Sequence, residues 1–250
     1  MGPLLWAGCG SSPESSVAGS LSDASAADAG RADAAADAAS DGSYGTCVEI
    51  PDETAGPYPD VDGMIANTKF ERSDIREGLS GTPLTLTLQV LDVSKGCAPV
   101  SGVRVILWHC DANGVYSEYA NAMNSDSAQK DVGSTSTTYL RGWQVTNATG
   151  TVTFKTIYPG WYTPRVTHIH VMVYHPADLT NPVKTTQFAF PDGVNAEVYA
   201  QTSRYPKGQS ATTDSTDMVF GASDENLVAA ITGSTTSGYA ASLPVGLSSY

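Results

Sequence analysis

Short runs of alternating apolar and polar residues, cut by Gly and Pro, leave this chain few ways to fold other than as stacked β-sheets. In Thr82–Val93, Leu84, Leu86, Leu88 and Val90 fall on one side and Thr85, Thr87 and Gln89 on the other. That period of two is the pattern of a strand with one face in a core. Gly96, Cys97 and Pro99 mark a turn, and Gly102–His109 then reads as a more continuously apolar strand. Asp111–Gly114 is a turn signal ahead of Val115–Tyr119. Further strands are expected at Tyr139–Val145, Thr151–Ile157 and Lys184–Phe190, with a last one near Tyr239–Leu247. Residues 120–138 read as a surface loop, and 193–221 as loop or short helix. Helical periodicity is almost absent and no internal repeat is visible. The fold class is therefore expected to be all-β, an antiparallel β-sandwich.

The segment Tyr158–Tyr174, YPGWYTPRVTHIHVMVY, carries the chemistry. Its second half reads as a strand with Ile169, Val171 and Val173 on one side and His168, His170 and Met172 on the other. Two imidazoles at i and i+2 share a face, with Cβ atoms roughly 7 Å apart, close enough to converge on one metal. A Pro159–Gly160 turn, two aromatics and Arg165 precede them. A tyrosine, an arginine and an HxH on one short segment point to a site rather than to a folding requirement.

The 250 residues carry a formal charge of -13, which argues against nucleic acid or an anionic membrane surface as partner. Residues 1–43 hold six acids and one base, Arg31, and so supply -5 of that total. The stretch Leu4–Cys9, LLWAGC, resembles the end of a bacterial lipoprotein signal, truncated-looking over residues 1–9. It implies export and a lipid anchor at Cys9. Residues 10–43 are Ala, Asp, Ser and Gly without an apolar face, which predicts a disordered linker. Its expected reach is on the order of 30 Å, taking about 5–6 Å times the root of its length. The folded domain is expected over 44–250, opening with an extended arm that holds Pro51, Pro57 and Pro59. No run approaches the about 18 apolar residues of a spanning helix. Nothing fixes an oligomeric state.

The cysteines are Cys9, Cys47, Cys97 and Cys110, without a CxxC. If residues 84–93 and 102–109 were neighbouring antiparallel strands, Cys97 and Cys110 would lie at opposite ends, roughly 25 Å apart. A bridge between them is then not expected. Cys47–Cys110 is the preferred pairing, with Cys97 free or paired otherwise.

The segments TAGPYP, WHCDANGVYSEY, YLRGWQVTNATGTVTFKTIYPGWYTPR and RVTHIHVMVY resemble the intradiol ring-cleavage dioxygenases, non-haem iron(III) enzymes on a β-sandwich. The likeness runs from about Cys47 to the C-terminus and is strongest over 102–190. It is closest to exported, single-chain members related to the protocatechuate dioxygenase subunits. The resemblance implies an Fe(3+) centre held by Tyr116 from GVYS, Tyr162 from PGWY, and His168 and His170 from HIH. It implies that Tyr162 leaves the metal and takes a proton when a catechol chelates. It also implies that Arg165 stabilises negative charge on the ring carbon, that Gln187 faces substrate, and that Gly56–Tyr58 lines the pocket. The expected reaction cleaves a catechol-type ring with dioxygen between the hydroxyl-bearing carbons, giving a cis,cis-muconate-type diacid. A helical N-terminal linker domain, typical of catechol 1,2-dioxygenases, is not expected from this sequence, and no basic residue for a substrate carboxylate stands out.

Two rival readings come from other classes. A zinc-dependent hydrolase would need His109 or His175 beside the pair, and would leave the tyrosines unexplained. A tethered β-sandwich metal-binding module would keep the fold without turnover.

Overall fold

The alternation of Leu84–Val90 is realised in strand β1 (Pro83–Asp92), whose four inward side chains are all buried. The computed structural model describes residues 2, 47–56, 59, 63–117, 137–221, 227–248 and 250. The expected signal over 1–9 with Cys9, the linker over 10–43, Pro57, Tyr58, Tyr119 and most of 120–138 thus lie outside the described residues. β1 anchors the first sheet. Along one edge it pairs antiparallel with β2 (Ala98–Pro99) and β5 (Thr151–Ile157). Along the other it pairs with β9 (Gly238–Leu247), beyond which lies β8 (Ala230–Ser234). The second sheet runs β4 (Arg141–Val145), β3 (Arg104–Trp108), β6 (His168–His175), β7 (Asp178–Ala189), antiparallel throughout. One α-helix, α1 (Asp192–Tyr199), follows β7.

The sandwich is the expected one, with a difference: β1 and β9 run parallel. The register Leu84↔Tyr239 through Asp92↔Leu247 turns Tyr239, Ala241, Leu243 and Val245 inward. β8 was not expected, because AITGS carries one large apolar side chain and a glycine. β7 begins earlier than the predicted Lys184. Pro182 is accommodated because β7 is the edge strand and the pairing is irregular beside Tyr174.

Between the sheets, Leu84, Leu86, Leu88 and Val90 pack with Val105, Leu107, Phe154, Ile169, Val171 and Val173. Burying each large aliphatic side chain is worth about 1.5–3 kcal/mol. The outer face of the second sheet is buried as well. Ile106, Trp108, Trp143, Met172 and Tyr174 are covered by Met64, Ile65 and Phe70, carried on two single 3-10 turns, Met64–Ala66 and Thr68–Phe70. Burial on both faces explains why β3 and β6 read as nearly continuous apolar runs. The His168 and His170 side of β6 belongs to this outer layer.

The preferred Cys47–Cys110 pairing is wrong: Cys47 bonds Cys97, with Cα atoms 6.0 Å apart. The premise about neighbouring strands fails too, because β1 and β3 lie in different sheets. Cys97 follows the turn after β1, at the end of the first sheet where the arm over 47–56 enters. Ile50 N there donates to Gly246 O at 3.0 Å, and Gly246 is paired with Leu91. Cys110 is a buried free thiol whose Sγ lies 3.5 Å from Gly160 O. From the disulfide the arm runs along the molecule. Lys184 Nζ meets Glu49, Asp52 and Ile50 O at 3.1–3.2 Å, and Glu53 N donates to Thr185 O at 2.9 Å.

Candidate metal centre

The HIH motif opens β6, so its imidazoles project from one side of a strand paired on both edges. Their ring centroids lie 4.8 Å apart with planes at 85°. Trp108 is the β3 partner of His170, and its ring stacks on that imidazole at 4.7 Å and 7°. His168 Nδ1 donates to Val166 O at 2.6 Å, which fixes the tautomer with a lone pair on Nε2. His170 Nδ1 is buried and finds no hydrogen-bond partner among the described residues.

Tyr116 arrives from the DANG turn. Asp111 Oδ1 accepts from Asn113 N at 2.8 Å and Val115 N at 2.9 Å, closing the turn and sending the chain back toward β6. Ser117 then holds the next step. Its Oγ donates to Tyr139 O at 2.6 Å and accepts from Arg141 Nε at 3.0 Å. Tyr162 comes from the PGWY turn, where Gly160 allows a close approach. A Cβ at Gly160 would lie 2.6 Å from the carbonyl oxygens of both Asp111 and Ala112. The two tyrosine turns are thereby packed against each other.

Four donor atoms meet. Tyr116 Oη lies 2.9 Å from His170 Nε2 and 3.4 Å from His168 Nε2, and Tyr162 Oη lies 3.2 Å from His168 Nε2. Two ligand atoms each about 2.0–2.1 Å from one ion, and bound side by side, are themselves roughly 3 Å apart. The set therefore has the spacing of a single coordination sphere. Burial and then Arg165 push His168 down to about 3, and burial and then His168 push His170 well below its ordinary value. Both imidazoles are neutral at pH 7, the form in which a nitrogen lone pair is available to a metal. Burial, reinforced by the neighbouring Tyr162, pushes Tyr116 well above 10. Burial pushes Tyr162 up too, against the nearby Arg165 charge. Two buried phenols become phenolates at neutral pH only with a strong cation beside them. A trivalent ion fits that donor set better than a divalent one.

The histidines required by a zinc reading are elsewhere. His109 is buried with both nitrogens engaged, Nδ1 at 2.8 Å from Cys110 O and Nε2 at 2.7 Å from Thr156 Oγ1. His175 is exposed, with its ring centroid 5.4 Å from that of Tyr250. Among the described residues no group of three or more His, Cys, Asp or Glu side chains is placed to hold a metal.

The remaining predicted residues surround the donors. Arg165 is buried; its Nη2 donates to Gln187 Oε1 at 2.9 Å, and Gln187 Nε2 donates to Thr54 O at 2.6 Å. Gln187 is also the β7 partner of His170. Gly56 has φ +66, and a Cβ there would stand 2.2 Å from His170 Cε1 and 3.2 Å from Gln187 Nε2. The arm can pass over the imidazole only because that residue is glycine.

Sequence reasoning missed three contributors. Asp217 pairs with Arg165, Nε to Oδ2 at 2.9 Å, from a Ser/Thr/Asp stretch that reads as ordinary loop. The only available signal was indirect, since a buried arginine needs an acidic partner. The stacking role of Trp108 and the clamp of Arg141 on Ser117 depend on strand register, which no local pattern revealed.

Comparison with known proteins agrees with this geometry. The Dioxygenase family model matches residues 55–195. No curated protein matches the chain by sequence. An intradiol ring-cleavage dioxygenase from Tetranychus urticae is 26% identical, over 80% of this chain and 95% of that one, with a TM-score of 0.68. The dioxygenase domain of a dioxygenase carbohydrate-binding protein fusion from Streptomyces sp. SirexAA-E is also 26% identical, over 81% and 100%, at TM-score 0.55. A 3-chlorocatechol 1,2-dioxygenase from Rhodococcus opacus 1CP shares the fold at 19% identity over 79% and 71%, TM-score 0.50. With its matched segment spanning more than half of the residues and ending just past the HIH strand and its neighbour, the chain belongs to the intradiol ring-cleavage dioxygenases.

Proposed function

We propose that Tyr116, Tyr162, His168 and His170 hold one ferric ion, and that the enzyme cleaves a catechol-type ring between its hydroxyl-bearing carbons with dioxygen. Both oxygen atoms enter the product, a cis,cis-muconate-type diacid. The observation that carries this reading is the convergence of two phenol oxygens and two imidazole nitrogens at 2.9–3.4 Å. Iron(III), when bound by these four residues, would supply a Lewis-acidic centre for a catecholate to chelate and would make its ring carbon reactive toward dioxygen.

The chain's own groups divide the remaining work. His168 presents a neutral Nε2 lone pair fixed by the Val166 contact, and the Trp108 stack and the close approach of Gly56 hold the orientation of the His170 ring. Tyr116, held by the Ser117 clamp, stays in place. Tyr162 sits on a turn and is the more exposed phenol, 7% against 1%; its Oη accepts one catechol proton as the substrate binds. The Arg165 guanidinium, oriented by Asp217 and Gln187, stabilises negative charge developing on the ring carbon. Trp108 and the Thr54–Gly56 arm exclude water around His170.

The test is oxygen uptake by the full chain loaded with iron, using a panel of catechols with mass analysis of the product. Stoichiometric uptake with a ring-opened diacid carrying both oxygen atoms is expected. Binding of a catechol without uptake would instead support the binding-module reading.

Export with a lipid on Cys9 belongs to the same proposal. It is supported by the LLWAGC motif and by the Cys47–Cys97 disulfide, a bond that persists mainly in oxidising compartments. The mass of the protein recovered from membranes tests it: a diacylated Cys9 N-terminus is expected, and an unmodified cytosolic protein would contradict it.

A further inference from the structure

Asp217 lies beyond the residues 55–195 that match the family model, so the likeness gives it no part. Its side chain is fully buried and both oxygens are engaged. Oδ2 accepts from Arg165 Nε at 2.9 Å and from Val166 N at 2.7 Å. Oδ1 accepts from Arg165 Nε at 3.1 Å, Val219 N at 2.8 Å and Phe220 N at 3.3 Å. One carboxylate thus closes its own turn and fixes both Arg165 and the backbone two residues before His168. The line continues through Arg165 Nη2 to Gln187 Oε1 and through Gln187 Nε2 to Thr54 O. It ties the C-terminal loop to the N-terminal arm around the four donors.

This pairing has a consequence for substrate charge. A guanidinium compensated at 2.9 Å by a buried carboxylate still donates hydrogen bonds and polarises a ring beside it. It does not act as a free cation for a second carboxylate, because drawing it away would leave Asp217 charged and buried with backbone N–H groups but no counter-charge. Among the described residues, Arg141 and Lys207 are engaged elsewhere. Arg141 donates to Ser117 Oγ and O at 3.0 and 3.1 Å, and Lys207 Nζ donates to Trp161 O at 3.0 Å. We propose that Asp217 is a positioning residue for Arg165 and that, by neutralising it, Asp217 sets the site to prefer catechols without a ring carboxylate. This inference rests on the ferric catechol-cleaving reading above.

The test compares catechol with 3,4-dihydroxybenzoate on the full iron-loaded chain. Anaerobic binding is followed by the change in visible absorption, and kcat/KM by oxygen uptake. Wild type is expected to favour catechol by about tenfold or more, and Asp217→Asn to shift the affinity ratio toward 3,4-dihydroxybenzoate by about tenfold. Asp217→Glu, which keeps the charge, should keep the wild-type ratio. General damage to fold or iron content lowers both ligands together and leaves the ratio unmoved. A wild-type preference for 3,4-dihydroxybenzoate, or an unchanged ratio in Asp217→Asn, overturns the proposal. The wild-type arm decides the matter if Asp217→Asn does not fold. Should neither compound perturb the iron spectrum or be consumed, the catechol reading itself fails and takes this one with it. An unmoved ratio in an active enzyme sinks only the role of Asp217.

Discussion

The two halves of the centre are built differently. His170 lies within β6, paired to Trp108 on one side and Gln187 on the other, and Tyr116 Oη stands 2.9 Å from its Nε2. Tyr116 is followed at once by Ser117, which Arg141 and Tyr139 hold. Across the site, Tyr162 hangs on the turn between β5 and β6, and its Oη stands 3.2 Å from His168 Nε2. Behind that half lies the Arg165–Asp217 pair, also on loops. The half anchored by the pairing of His170 and by the Ser117 clamp is expected to fix where a metal would sit. Tyr162, on its turn, can yield to substrate without unpairing a sheet.

The largest expected effect separates these halves. Tyr116→Phe should lose iron and colour together, whereas Tyr162→Phe should retain iron while kcat falls about 10²–10⁴-fold, the range of a lost proton-transfer group. Iron content and oxygen uptake measure both, and identical behaviour of the two variants would break the comparison. Gly56→Ala should come next. Its Cβ would strike His170 Cε1 at 2.2 Å from a backbone of positive φ, so iron affinity should drop about 10–100-fold, as when an outer-shell support is lost. Metal titration reads this directly, and affinity equal to wild type would show that the arm does not hold His170.

Removing the disulfide sharpens the comparison from the other side. Replacing Cys47 and Cys97 together by Ser should cost about 2–4 kcal/mol and lower Tm by roughly 5–15 °C. The absorption spectrum at 25 °C should persist, because β6 positions His170 and the Ser117 clamp positions Tyr116, neither through the staple. A bleached spectrum would move that duty to the arm.

The smallest effect is on acid stability. Burial pushes Asp217 up, but hydrogen bonds from Arg165 and Val166 N and the Arg165 charge hold it net below the ordinary 3.8. A depressed carboxylate contributes stability that is complete above its unfolded pKa and is lost as pH falls through its folded value. Denaturant midpoints should therefore fall below about pH 4 in wild type, and fall less steeply in Asp217→Asn. Equal slopes would mean that the pair adds no linked stability.

Much of this arrangement was legible because it is local. Alternation in Leu84–Val90, the parity of His168 and His170 along one strand, and the GVYS, PGWY and HIH motifs each concern residues close in sequence. What escaped depends on partners far apart along the chain. The parallel β1–β9 pair, the Cys47–Cys97 bond and the Asp217 partner of Arg165 connect segments 50 or more residues apart. The neighbouring-strand premise fails for the same reason: β1 and β3 lie close in sequence, yet they belong to separate sheets, although the Cys97–Cys110 bridge it argued against is indeed not formed. A lone Asp among Ser and Thr carries no mark of burial.

Resonance Raman spectroscopy of the iron-loaded full chain, excited in its visible band, tests the central claim most directly. Two distinct tyrosinate–iron(III) signatures are predicted, one of which disappears in Tyr162→Phe and is displaced when a catechol binds to the wild type. A protein that takes up one equivalent of iron and shows no tyrosinate modes would contradict the account.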